Sequence, residues 1–130
     1  MIIISLLPAF VIAQYRVPMK AIIDTYGTPD KTGIADESMY YIGYENQEYS
    51  ECSGKIVSYY IGYFIGNSAI NELCDYWCWI LPACEANGFV KMFNENYVQQ
   101  STYSWINHEN NTIFSMTTSY GFCKIICESL

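Results

Sequence analysis

Tyr40-Tyr41-Ile42-Gly43-Tyr44 returns, residue for residue, as Tyr59-Tyr60-Ile61-Gly62-Tyr63, and the fold turns on how these two pentapeptides are read. Tyrosine and isoleucine fit a pleated, half-buried surface, and a strand glycine lets a neighbouring ring or backbone approach closely. Both copies therefore read as strands. Between them, Glu45-Asn46-Gln47-Glu48-Tyr49-Ser50-Glu51-Cys52-Ser53-Gly54 is polar, acidic and closes on Ser-Gly, the composition of a surface loop. Two strands joined by such a loop pair most simply as antiparallel neighbours. Alternation along the second strand sets Val57, Tyr59, Ile61, Tyr63 and Ile65 on one face and Ile56, Ser58, Tyr60, Gly62 and Phe64 on the other. Neither face is polar, which predicts a central strand or a face that meets a partner. The match ends after five residues and is no evidence of duplication.

The 130 residues fit one domain with a single core. A content of 52% hydrophobic, 17% aromatic and 15% charged residues excludes disorder as the main state. Six basic residues against thirteen acidic ones give a net charge of −7, and the lysines are scattered. No electrostatic footprint for nucleic acid or anionic lipid follows from that pattern.

From Met1 to Ala13 the chain is nearly all apolar, too short to cross a bilayer as a helix, and ends in Val11-Ile12-Ala13. It reads as a secretory signal over 1–13 cleaved before Gln14, leaving 14–130 as one domain in a secreted or periplasmic setting. The segment lacks the usual lysine or arginine, so a start further upstream or an apolar first strand of an intracellular domain stays open. Pro18 then opens a short helix to Tyr26, with Met19, Ile22, Ile23 and Tyr26 spaced by three and four and Gly27 and Pro29 as the stop.

Tyr26-Gly27-Thr28-Pro29-Asp30, a polar turn and the Tyr40 strand form a junction that resembles small exported modules of the SmpA/OmlA (BamE-like) type. The resemblance covers Met19 to Tyr63 and rests on Gly27, Pro29 and Asp30. It implies a helix-then-strand module with a role in outer-membrane assembly; the lipobox cysteine and a second junction of that pattern are absent from this sequence.

Gly66-Asn67-Ser68 offers a turn and cap, after which Ile70, Leu73, Cys74, Trp77, Ile80 and Leu81 recur at helical spacing, predicting an amphipathic helix that ends or kinks at Pro82. Phe89 to Phe93 reads as a short strand broken by Asn94-Glu95-Asn96. From Ser101 a hairpin with a two-residue turn at Asn110-Asn111 pairs Trp105 with Met116, Asn107 with Phe114 and Tyr103 with Thr118. Tyr120-Gly121 turns the chain into a last strand with Cys123, Ile125 and Cys127 on one side. The expected fold class is α+β: an antiparallel sheet with a short N-terminal helix and one longer amphipathic helix packed on one face.

Six cysteines (Cys52, Cys74, Cys78, Cys84, Cys123 and Cys127) allow three disulfides in about fifteen connectivities in an exported protein. Cys74 and Cys78 share a face if helical; Cys123 and Cys127, about 13 Å apart on a strand, are too far apart to ligate one zinc ion. Bridges or buried thiols are therefore expected, with no metal and no cofactor. His108 is the one histidine and precedes the turn, with no nucleophile motif near it. Glu45, Glu48 and Glu51 lack calcium-loop spacing. Asn110-Asn111-Thr112 matches the N-glycosylation acceptor pattern.

These readings point to an exported, non-catalytic domain that binds a protein partner or serves an envelope assembly through aromatic sheet surface, with no nucleic acid and no transmembrane span. Two alternatives come from other classes. One is a small-ligand or glycan binder using Tyr40, Tyr44, Tyr59, Tyr63 and the tryptophans, since tyrosine gives broad contact at little entropic cost. The other is a cysteine-based redox or metal protein.

Overall fold

The computed structural model describes residues 15–36, 39–47, 49–65 and 70–130. The apolar segment 1–13 with its cleavage site, the turn at Gly66-Asn67-Ser68 and Glu48 lie outside the described residues. Helix α1 spans Met19–Tyr26, followed by strands β1 (Lys31–Asp36), β2 (Met39–Tyr44), β3 (Tyr49–Ser50), β4 (Lys55–Ile56), β5 (Tyr59–Ile65) and β6 (Tyr76–Pro82). A single 3₁₀ turn (Ala83–Glu85) leads into helix α2 (Ala86–Asn96), and β7 (Val98–Ser101), β8 (Ser104–Asn107), β9 (Thr112–Ser119) and β10 (Phe122–Ser129) complete the chain. Eight strands form one antiparallel sheet in the order β1-β2-β5-β6-β10-β9-β8-β7, while β3 and β4 make a separate ribbon. The α+β class is as the sequence predicts.

Both helices lie on one face of this sheet. Met19 and Ile22 of α1 and Phe89 and Phe93 of α2 join a single core with Ile42, Tyr44, Tyr60, Phe64, Trp77, Trp79, Leu81, Trp105, Phe114 and Ile125. Phe93 is its hub, stacked on Phe114 at 5.1 Å and tilted against Trp105 at 5.1 Å, while Trp79 meets Phe89 edge-on at 4.9 Å.

Helix α1 stops where the sequence says it should. Gly27 adopts φ 87°, which favours glycine, and its N–H donates to the Ile23 carbonyl at 2.7 Å. The Tyr44 hydroxyl donates to the Gly27 carbonyl at 2.8 Å, and Asp30 accepts from the Glu45 N–H at 2.8 Å, stitching the helix end to β2.

The two pentapeptides pair antiparallel, as β2 and β5, with Tyr44 opposite Tyr60, Ile42 opposite Gly62 and Tyr41 opposite Tyr63. Because Tyr44 meets Tyr60 and not Tyr59, the copies are read through opposite faces. Tyr40, Ile42 and Tyr44 of the first copy point to the helices, whereas Tyr60 and Gly62 do so in the second, and Tyr59, Ile61 and Tyr63 point away. Gly62 makes room for a ring: a Cβ there would lie 3.1 Å from Trp77 Cζ3.

Four expectations are corrected. The stretch 70–81 is not a helix. Tyr76–Pro82 is a strand near the middle of the sheet, with Trp77 and Trp79 buried on the helix side and Cys78 buried on the other between half-buried Tyr76 and Ile80, so neither face is polar. The longer helix is instead α2, where a short strand was expected. Phe89 and Phe93, four residues apart, fall on its inward face, and the supposed breaker is its last turn: Asn94 Oδ1 accepts from Trp105 Nε1 at 2.7 Å, and Asn96 Nδ2 donates to the Met92 carbonyl at 2.8 Å.

The β8–β9 hairpin is displaced by two residues from the expected register. Trp105 faces Phe114 and Asn107 faces Thr112, around a four-residue turn at 108–111 in which Asn111 takes φ 55°. A slip of two preserves the side-chain parity, so Trp105, Asn107, Phe114 and Met116 still share the buried face. Finally, the polar turn before Tyr40 contains edge strand β1. The β9–β10 turn at Tyr120-Gly121 is as expected, with φ of 45° and 87° closing on the Ser119–Phe122 pair.

Candidate functional site

The sheet face opposite α1 and α2 carries an aromatic stripe built by register. Tyr41, Tyr63 and Tyr76 are aligned across β2, β5 and β6, with ring centroids 6.3 Å apart for the first pair and 4.5 Å for the second. Tyr63 and Tyr76 are stacked at 20°. The Tyr41 ring lies over Gly33 of β1, where an added Cβ would come within 2.9 Å of it. Tyr59, Ile61 and Ile80 continue the face, all half-buried, and none of these side chains joins the helix-side core. Burial first, then the neighbouring Cys78, Tyr76 and Tyr41, raises the Tyr63 phenol above its ordinary pKa.

Of the four tyrosines singled out from the sequence, Tyr59 and Tyr63 lie on this outer face. Tyr40 and Tyr44 lie on the helix side, where Tyr44 is buried and its phenol is pushed up to about 12 by burial and then by Asp30. The four therefore do not form one platform. Tyr41 and Tyr76, which complete the stripe, escaped the sequence reading. Tyr41 was recoverable from the antiparallel pairing of the repeats once Tyr44 is set against Tyr60, but Tyr76 was hidden inside the expected helix.

Cys52 and Cys84 form a disulfide, with Cα atoms 6.1 Å apart. It ties the acidic loop to the turn before α2, beside a second tie in which the Ser50 hydroxyl donates to Glu85 at 2.7 Å. Cys74, Cys78, Cys123 and Cys127 are free thiols and buried. Cys74, Cys123 and Cys127 lie in the helix-side core, whereas Cys78 points the other way, opposite Ile61 and Ile126, so Cys74 and Cys78 do not share a face. Burial pushes Cys74 and Cys127 up to about 12 and Cys78 and Cys123 up to about 11. Neutral, enclosed thiols are poor nucleophiles and poor ligands.

Among the described residues no group of three or more His, Cys, Asp or Glu side chains is placed to hold a metal ion. Glu45 pairs with Lys31 at 3.1 Å, which raises the lysine pKa through that hydrogen bond and charge, and Glu51 is exposed. His108 and Glu109 line a cleft at the end of β8 whose walls include no thiol. Among the described residues no helix is long and apolar enough to cross a membrane. No protein-family model, curated protein or solved structure matches this chain.

Proposed function

We propose that the chain is an exported, non-catalytic docking domain that binds a protein partner through the outer face of its sheet. The observation that carries this reading is the Tyr41-Tyr63 pair with Tyr59, Ile61 and Ile80, half-buried aromatic and apolar side chains set apart from the helix-side core. Interfaces are enriched in such tyrosines and depleted of charge at their centres. The stacking favours a protein over a sugar here: rings packed face to face at 4.5 Å turn those faces to each other, not outward where a sugar ring would stack, and the Tyr76 hydroxyl is engaged by Met39 Sδ at 3.2 Å. The net charge of −7 favours a partner with a basic rim through complementarity and faster encounter. The Cys52–Cys84 bridge supports an oxidising, extracytoplasmic setting. The high pKa of the four buried thiols argues against a redox or metal role.

A photo-crosslinking residue at Tyr63, compared with one at the fully exposed Tyr120 on the β9–β10 turn, tests the reading in the native host. A discrete adduct of one added protein from position 63 and not from 120 supports it. Absence of an adduct at 63, or equal labelling at both sites, refutes it.

A further inference from the structure

Beyond Val98 and Ile106, the last pair at this end of the β7–β8 ladder, the two chains part: Tyr97 leads back to α2, and Asn107 runs into the turn before β9. The fork opens a cleft of about 730 Å³ walled by Asn96, Tyr97, Asn107, His108, Glu109 and Asn110, with Val98 and Ile106 as its apolar part. That volume lies within the range of small-molecule sites.

Three carboxamides stand in this cleft, each held by one end. Asn107 is only 8% exposed; its Oδ1 accepts from the Glu109 N–H at 3.0 Å, while its Nδ2 has no protein partner among the described residues. Asn110 Oδ1 is held by the Thr112 hydroxyl, which leaves its amide N–H groups, and Asn96 donates to Met92, which leaves its Oδ1. An amide on a nine-tenths buried side chain, oriented by the backbone and lining an open cleft, is a preorganised donor. Glu109 adds an acceptor close enough to contribute to the raised pKa of the Tyr97 phenol, after burial and Cys127.

The ligand class follows from what is present. No lysine or arginine lines the cleft, and Glu109 and the carbonyl end of α2 make it electronegative, which disfavours phosphates and carboxylates. The Tyr97 ring is stacked on Phe114 at 5.0 Å and tilted against Phe93 at 5.9 Å, packed against the core rather than presented as a cage for an ammonium group. Fixed donors alternating with fixed acceptors match hydroxyl groups, each of which donates and accepts at once. We infer that this cleft binds a neutral saccharide unit, with Asn107 Nδ2 donating to one ring hydroxyl and Glu109 accepting from its neighbour. The site is separate from the tyrosine face.

The test is a backbone-amide NMR titration of the full chain, bridge intact and produced without N-glycosylation because Asn110 is itself an acceptor position. The probes are glucose, galactose, mannose, N-acetylglucosamine and, as a cationic control, ethylammonium. The expected result is saturable shifts confined to 96–98 and 106–110 with at least one sugar. Asn107→Ala is expected to weaken that binding about tenfold or more and Glu109→Gln several-fold, while Tyr63→Ser leaves it unchanged. Should Asn107→Ala not fold, the shift map and Glu109→Gln decide. Absence of shifts with every sugar, sugar shifts outside these segments, sugar binding indifferent to Glu109→Gln, or saturable binding of ethylammonium alone overturns the inference.

Discussion

Removing the Cys52–Cys84 bridge has a calculable consequence. The β3–β4 ribbon consists of two residue pairs, Tyr49 with Ile56 and Ser50 with Lys55, far too little to stand alone in water. It is held by the disulfide, by the Ser50–Glu85 hydrogen bond at 2.7 Å and by the Gln47 N–H to the Ser58 carbonyl at 3.1 Å. The bridge closes a loop with a sequence separation of 32. Loop-closure entropy for that length is about 12 cal/mol/K, or about 3.7 kcal/mol at 25 °C, through the unfolded chain. With an unfolding entropy scaled to 130 residues, that corresponds to about 14 °C in Tm. The double variant Cys52→Ser, Cys84→Ser, measured by urea unfolding against the parent, is therefore expected to lose about 3–4 kcal/mol. The exposed Lys55 should become a rapid tryptic site once the ribbon is released. A loss below about 1 kcal/mol, or unchanged cleavage at Lys55, would refute the reasoning.

The glycines of the two pentapeptides should respond oppositely to alanine. Gly62→Ala sets a methyl 3.1 Å from Trp77 Cζ3 and is expected to lose about 1–3 kcal/mol, with a changed near-ultraviolet signal from the tryptophan. Gly43→Ala, whose nearest neighbour would be 3.8 Å away, should be neutral or gain up to about 1 kcal/mol in urea unfolding. Cys74, Cys78, Cys123 and Cys127 should react with a disulfide reagent at pH 8 only after denaturant is added; one fast thiol in the native state would contradict their burial. Tyr44 and these thiols all have folded pKa values raised to about 11 or 12, so the folded state favours their neutral forms. Their contribution is fully present below about pH 9, the thiol value in the unfolded chain, and is lost as pH rises through about 12. Circular dichroism should thus show alkaline unfolding in that window; a flat profile to pH 12 would contradict it.

The sequence was most legible where one face of an element meets water. Helix α1 announces itself by Pro18, a spaced apolar set and Gly27, and the β9–β10 turn by Tyr120-Gly121. The pairing of the pentapeptides was legible too, because the polar, acidic stretch 45–54 marks a connection, although it also holds β3, which pairs only with β4. Strand β6 was not, because a strand with apolar side chains on both faces has no period-two pattern, and Trp77, Ile80 and Leu81 then fall by accident at helical spacings. The better signal was chemical: Tyr76-Trp77-Cys78-Trp79-Ile80 is aromatic and β-branched, bounded by a proline. Helix α2 was lost to asparagines that read as a breaker but whose side chains serve the helix and Trp105. The cleft around Asn107 had no local sequence signal at all, since it exists only where β7 and β8 separate.

The two identical pentapeptides pose a problem of address during folding, since nothing inside them tells the backbone which one belongs beside β6. The neighbours decide. Were Tyr40–Tyr44 to take the central place in the same parity, Tyr41 and Gly43 would substitute well for Tyr60 and Gly62, but Glu45 would occupy the fully enclosed position of Phe64 and carry an unpaired charge into the core. Shifted by one residue, the carboxylate escapes, and Ile42 is driven into the space that Trp77 fills beside Gly62. One carboxylate and one tryptophan thus act as the label that sorts two otherwise interchangeable strands.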